Sequence, residues 1–487
     1  MAFQDLREFI DLLEQRHLLK RIKTEVDPEL EITEITDRVS KMKGAKNVAL
    51  LFENVRGSSM PVLMNAFGSY ERMALALGVE KLDDVADDLR DMLKIPYISP
   101  QNKFMAMTQI LPKIKNAIKF PKYVKNAPCQ EVVNTEDPSL DELPILKCWP
   151  QDGGPFITLP LVFTKNPATG KRNVGMYRLQ KYDSRTTGMH WHIHKNGAEN
   201  FRDTKAAGGE KIECAVAIGT DPVLTYAATA PLPRDVDEMI FAGFLRHERV
   251  ELVKCKTVDI EVPATAEIIL EGYVRTDEVR REGPFGDHTG YYSLADDYPV
   301  FHITAITHRR DAIYAATVVG RPPMEDCYIA KATERIFLPL LQQMLPEIVD
   351  INMPLEGVFH DCVLVSIKKQ YPMHARKVMH ALWGMGQMMN VKMIIVVDAH
   401  VDVQDVSQVA WRVFNNIDAE HDLEIVHGPL DVLDHSSPMA KWGAKLGIDA
   451  TKTWPEEGHT REWPDEIEMT ADVKARVDAK WKELGLD

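Results

Sequence analysis

Glu282 and Asp287 stand five residues apart in the run Glu282-Gly283-Pro284-Phe285-Gly286-Asp287-His288-Thr289-Gly290-Tyr291-Tyr292. The intervening Gly-Pro and second glycine can form a turn that folds both acids toward one cavity. Two carboxyl groups in different surroundings are the usual equipment for moving a proton. Phe285, Tyr291 and Tyr292 would supply apolar surroundings, which raise a carboxyl pKa toward neutrality and make a usable proton donor. Upstream lie Asn173-Val174-Gly175-Met176-Tyr177-Arg178 and His190-Trp191-His192-Ile193-His194. The planar fork of Arg178 matches a carboxylate two bonds at a time. If the histidine run is a strand, alternation puts His190, His192 and His194 on one face. Three imidazoles there could hold manganese, iron or zinc, and a nearby carboxylate or amide oxygen would favour Mn²⁺. Glu238 enters an otherwise apolar helix start, Asp237 to Gly243, where the helix dipole alone accounts for an acid. Each residue also has a plain alternative: a solvated turn, a surface arginine, a wet strand face. Together they suggest acid–base chemistry, with metal binding an open alternative.

The elements expected to position them form three regions. Asp5 can cap a helix, with Glu8 three residues on and Leu6, Phe9, Ile10 and Leu13 at helical spacing. Val48–Phe52 and Pro61–Met64 are short apolar runs of strand length, and Ser69 caps a helix ending at Gly78. This predicts an N-terminal α/β domain, with no GxGxxG or GxxxxGK[ST] to suggest a nucleotide fold. A proline- and lysine-rich connector with a helix near Met107 to Ile118 follows. From 156 to 318, β-branched runs at 161–164, 212–218, 250–255, 268–274 and 300–307 predict a β-barrel or sandwich, interrupted by a helix at 235–245. Beyond Pro323, a helix at 336–345, buried strands at 362–365 and 393–397 and a helix at 374–383 predict a βαβ-like region. The terminal helix carries Val473, Val477, Trp481 and Leu484 along one face.

At 487 residues the chain is expected to form two or three domains. It is 45% hydrophobic and 27% charged, as ordinary globular proteins are. A net charge of −15 argues against a general nucleic-acid binder, which needs clustered Lys and Arg. The acidic opening does not read as a signal peptide, and no apolar run approaches a membrane span. Six dispersed cysteines without a Cys-x-x-Cys pair predict reduced thiols and a cytoplasmic protein.

The combined text resembles the UbiD family of reversible decarboxylases over nearly the whole chain. The matching passages, in order, are Asp5-Leu6-Arg7-Glu8-Phe9, Leu51-Phe52-Glu53-Asn54, Asn173 to Arg178, Glu238 in its helix, Glu282 to Tyr292, Gly320-Arg321-Pro322-Pro323, Ile367-Lys368-Lys369-Gln370-Tyr371 and Lys445 to Thr451. The ends look most like the quinone-pathway branch, which decarboxylates 4-hydroxy-3-polyprenylbenzoate. In some members of that branch Arg-Trp-Leu replaces His190-Trp191-His192, whereas a histidine at the third position is familiar from the cinnamate-type branch.

The resemblance implies an α+β fold: a central split β-barrel (121–322), flavin-reductase-like, between an N-terminal α/β domain with connector (1–120) and a C-terminal α/β oligomerisation domain with its terminal helix (323–487). It implies prenylated FMN, held through Mn²⁺ on Asn173, His192 and Glu238, with K⁺ nearby. Met176, Tyr177, Arg178, His190, Trp191, His192, Lys195 and Asn196 would contact the cofactor. Arg178, Glu282 and Asp287 would form the acid–base network. The cofactor would form a covalent adduct with the substrate and accept its electron pair, and Asp287 would protonate the carbon left by CO₂. The implied partners are a small aromatic or α,β-unsaturated acid, a flavin prenyltransferase that supplies the cofactor, and further copies of the chain as a dimer or hexamer. A polyprenyl substrate adds an expectation of peripheral membrane contact. The alternative is a metal-dependent hydrolase built on His190, His192 and His194, or a decarboxylase of another small aromatic acid.

Overall fold

The computed structural model describes residues 2–93, 118–191, 196–233 and 236–486. Three sheets organise the chain. The first has four strands in the order Leu19–Ile22, Ala49–Phe52, Val62–Met64 and Tyr314–Ala315. Helix Leu6–Gln15 begins where the Asp5 carboxylate accepts from Arg7 N and Glu8 N. It buries Leu6, Phe9, Ile10 and Leu13, with Phe9 stacked on Phe67 at 5.8 Å. Ser69 caps Tyr70–Ala76 through Arg72 N. The helix expected at 107–118 falls almost wholly outside the described residues.

The central sheet has seven strands. Its path runs Thr186–Gly188, Asp296–His308, Ile268–Glu282, Lys211–Ile218, Leu161–Lys165, Arg172–Met176, with Val132–Asn134 also on Asp296–His308. All its ladders are antiparallel. No ladder among the described residues joins its ends, so the expected barrel is an open sheet and the fold is mixed α+β. Both faces are covered. Ala215 and Ala217 join Leu161 and Phe163 in one apolar cluster, while Cys214, Val216 and Ile218 join Val162 and Leu270 in another. Successive side chains of a strand point to opposite faces, so a strand buried twice reads as a continuous apolar run.

Two of these strands outrun their apolar signal. Ile268–Glu282 and Asp296–His308 pair as far as Glu282 opposite Asp296, although Arg275 to Arg281 is mostly charged. The ladder sets this stretch. Glu282 therefore sits at a strand end, with Asp287 just past the two-residue strand Phe285–Gly286, rather than both lying in one solvated turn.

The third sheet runs Ile348–Asn352, Cys362–Ile367, Met393–Asp398, Trp442–Asp449, Leu423–Pro429. Its middle pairs are parallel, with helix His374–Trp383 as a crossover. Helix Glu325–Met344, much longer than its predicted core, leads into it. The terminal helix covers only Ala471–Asp478 and buries no residue, so the single chain leaves the Val477, Trp481 and Leu484 stripe exposed.

Candidate active site

Arg178 follows strand Arg172–Met176 and reaches both acids. Its Nε donates to Glu282 Oε1 at 3.1 Å and Nη1 to Asp287 Oδ2 at 2.6 Å. Nη2 donates to Ser293 Oγ at 3.1 Å, and the guanidinium lies 4.4 Å from the Phe285 ring centre. Glu282 and Asp287 are 1% and 5% exposed, so these are charge-assisted bonds in a largely water-free setting. His190 Nδ1 lies 2.6 Å from Glu282 Oε1. Burial, helped by the charge of Arg178, lowers the His190 pKa against the pull of Glu282. The neutral ring thus serves Glu282 as an N–H donor, and it leans on Tyr298 at 4.2 Å.

Glu282 Oε2 is buried without a hydrogen-bond partner. It lies so close to Gly188 that a Cβ there would sit 2.7 Å away. One carboxylate oxygen is thus saturated and the other is free to take a proton or a polar group. Asp287 differs. Burial raises its pKa, but His288 and Arg178 outweigh burial and hold the carboxyl well below the usual range. The two acids have unlike surroundings, as an acid–base pair requires.

The loop carrying them is held from below. Asp152 Oδ1 accepts from Gly286 N at 2.7 Å, and Gly153 N donates to Pro284 O at 2.8 Å. Trp149 packs flat against Gly286, where a Cβ would meet Cδ1 at 2.1 Å, and its Nε1 donates to Val319 O at 2.9 Å. Gln180 Oε1 accepts from Gly283 N at 2.7 Å. Ser293, Asp152, Trp149 and Gln180 were not legible as site residues. The turn-forming Asp152-Gly153-Gly154 was their nearest signal.

The expected metal ligands meet in part. Glu238, at the start of helix Glu238–Arg246, accepts from Val174 N at 3.0 Å, the residue next to Asn173. Burial pushes the Glu238 carboxyl up to about 7. A buried acid beside a buried amide supplies hard oxygen donors, which suit Mn²⁺ or Mg²⁺, and a cation would settle its charge. His192 and Lys195 lie outside the described residues, as does His194. Strand Thr186–Gly188 ends before His190, and His190 turns to Glu282; the common face expected for the three histidines falls on His192 and His194, outside the described residues. Among the described residues no three His, Cys, Asp or Glu groups converge as a metal cluster.

Of the residues expected to contact the cofactor, Tyr177 lies beside this pair with a hydrogen bond to Asn173, and Tyr177 and Trp191 both close on Gly197; the Asn196 side chain lies outside the described residues. Tyr177 is buried against the backbone of Gly197, and burial pushes its phenol up to about 12. Trp191 packs on Phe201 at 5.5 Å, in the helix Asn196–Ala206, and its indole Nε1 is buried without a hydrogen-bond partner among the described residues. Met176 is half-buried at the strand end.

Three family models match the chain: the 3-octaprenyl-4-hydroxybenzoate carboxy-lyase N-terminal domain over 10–90, the Rift-related domain over 122–322 and the C-terminal domain over 327–450. A protein of Archaeoglobus fulgidus is 55% identical over 99% of both chains, and one of Aquifex aeolicus 50% identical over 100% of this chain and 99% of its own. Both are described only as uncharacterized. The UbiD-class enzyme HmfF of Pelotomaculum thermopropionicum, solved with FMN, is 30% identical with a TM-score of 0.82, covering 97% of this chain and 98% of that one. Vanillic acid decarboxylase of Sedimentibacter hydroxybenzoicus in its closed form is 29% identical with a TM-score of 0.85, covering 100% of each.

Proposed function

The chain belongs to the UbiD family of carboxy-lyases, and from that premise we propose that it catalyses the reversible, non-oxidative decarboxylation of an aromatic or α,β-unsaturated acid with prenylated FMN. Within that class we assign it 4-hydroxy-3-polyprenylbenzoate, as a step of quinone biosynthesis. The observation that carries the reading is Arg178 clamped between two buried acids of unlike surroundings, one with a free oxygen.

Bound prenylated FMN would supply the electron sink that the chain's own side chains lack. The protein supplies binding, orientation and the proton. Arg178 uses three of its N–H bonds on Glu282, Asp287 and Ser293 and keeps the remainder of its fork for a substrate carboxylate. The free Oε2 of Glu282 accepts a proton or a polar substrate group, while His190 and Arg178 fix Oε1. Asp287, held ionised in the resting site, takes up a proton and delivers it to the carbon that loses CO₂. Asn173 and Glu238, with His192 as third ligand, would hold Mn²⁺ against the cofactor phosphate, with K⁺ nearby. Met176, Tyr177, Trp191, Lys195 and Asn196 would wall the cofactor.

Tyr291 and Leu294 are exposed on either side of Ser293, an apolar rim suited to a prenyl tail and to loose contact with a membrane surface. No helix among the described residues is long and apolar enough to cross a membrane. We place domain limits near 120 and 322, and expect a homo-oligomer in the cytoplasm that depends on a flavin prenyltransferase. The engagement of His190 with Glu282 disfavours the hydrolase alternative.

The test is to co-express the chain with a flavin prenyltransferase, purify it anaerobically with Mn²⁺ and K⁺, and determine the mass of the released cofactor. CO₂ release is then followed from 4-hydroxy-3-polyprenylbenzoate and from vanillate. A prenyl-FMN mass with CO₂ release from the former supports the assignment. Release from vanillate alone keeps the class and changes the substrate. Folded protein that binds no flavin refutes the reading.

A further inference from the structure

Asp287 has a second partner besides Arg178. Its Oδ1 lies 2.9 Å from His288 Nδ1 and accepts from His288 N. The far side of the same ring meets another imidazole: His288 Nε2 and His360 Nε2 are 2.7 Å apart. His360 belongs to the turn before strand Cys362–Ile367 of the C-terminal sheet, so the contact bridges the acid loop and that sheet. Phe359 stacks on His288 at 5.1 Å. Val358 and Phe359 hold φ values of +44° and +51°, a region that a β-branched residue rarely enters. Strain kept at a contact with the histidine that bonds a candidate catalytic acid points to a use for that contact.

The geometry limits the protonation of this pair. The Nδ1 of His288 faces a carboxylate and so carries hydrogen, and a gap of 2.7 Å between two Nε2 atoms has room for one proton. His360 Nδ1 is buried 3.2 Å from Asp361 Oδ1, near enough to feel its charge but without a hydrogen bond to it. Asp287, Asp326 and Asp431 all act on His288, and with Asp361 they surround the pair with negative charge. Asp326 Oδ2 is buried and lacks a hydrogen-bond partner. Four acids around two rings favour one shared positive charge.

We propose that His288 and His360 together store the proton that Asp287 delivers, a store assembled only when the C-terminal sheet is seated on the acid loop. The inference rests on the decarboxylase reading above. As Asp287 becomes the acid it takes the Nδ1 hydrogen of His288, and the shared proton settles on His288 Nε2. Both rings are then neutral, as is Asp287. Asp287 passes its proton to the carbon that has lost CO₂, and one proton from water recharges the pair. One proton is consumed for each CO₂ released. His288 and His360 act through Asp287 and are positioning residues.

The test compares the prenylated-FMN holoenzyme with its His360→Phe and His360→Gln variants. Phe fills the space without a nitrogen, whereas the Gln oxygen still accepts from His288 Nε2. His360→Phe should lower kcat on the order of tenfold to a hundredfold with KM little changed. The alkaline limb of its kcat profile should move toward lower pH, because His288 no longer keeps its proton; His360→Gln should move the limb back. NMR of the wild-type protein with ¹⁵N-labelled histidine should show one strongly downfield proton coupled to two imidazole nitrogens. Two rings that titrate independently, or an unmoved alkaline limb in His360→Phe, would overturn the proposal. If the wild type releases no CO₂ from any acid, the decarboxylase reading fails, and the NMR result decides the shared proton by itself.

Discussion

Replacing Arg178 with methionine tests the clamp most directly. Methionine keeps an apolar stem against Phe285 but removes the bonds to Glu282, Asp287 and Ser293. Two buried acids are then left without their shared cation, and breaking a buried pair in this way costs about 3–5 kcal/mol. For a unit the size of the central region, each kcal/mol shifts Tm by roughly 2–4 °C, so a fall on the order of 10 °C is expected. Adding Glu282→Gln removes one stranded charge and should recover on the order of 1–3 kcal/mol, a sign that additive damage cannot produce. The pH dependence is fixed as well. In the wild type Asp287 is held below its ordinary range, so its contribution is present above its unfolded pKa of about 4 and lost as pH falls through the folded value. The gap between wild type and Arg178→Met should therefore be flat from about pH 5 to 8 and close at more acid pH, where Asp287 is protonated in both. Scanning calorimetry of both variants at several pH values measures this. A single variant within 2 °C (about 1 kcal/mol) of wild type, with no recovery in the double, would refute the clamp.

Three further outcomes follow from the same geometry. Glu282→Gln should keep its fold and flavin content yet lose CO₂ release by on the order of a hundredfold or more, read by gas evolution and by Tm. Gly286→Ala must push Trp149 from its seat, since the new Cβ would meet Cδ1 at 2.1 Å; a loss of about 1–3 kcal/mol in a urea melt is expected, and an unchanged midpoint would contradict the contact. Glu238→Gln should abolish retention of a divalent ion, measured by elemental analysis, without destabilising the metal-free protein. Burial already pushes that carboxyl up to about 7, so a neutral amide suits the metal-free site.

The residues themselves made part of this protein legible. Apolar periodicity located the first helix and its Asp5 cap, the doubly buried strand at 212–218 and the crossover helix His374–Trp383, because burial imposes its pattern locally. The types and spacing of Arg178, Glu282 and Asp287 suggested their chemistry. What they could not show was who meets whom. His190 finds Glu282 across 92 positions because strands Thr186–Gly188 and Ile268–Glu282 both pair with Asp296–His308, the latter through a charged stretch with no apolar signal. Ser293 on Arg178, Trp149 under Gly286 and His360 on His288 are likewise side chains whose partners lie on other elements. Local propensity carries no information about register between distant strands. That register is set by ladder hydrogen bonds and by the packing of two covered faces, so while the resemblance implied Arg178, Glu282 and Asp287 together, the entry of His190 and Ser293 into the clamp was decided by the tertiary structure.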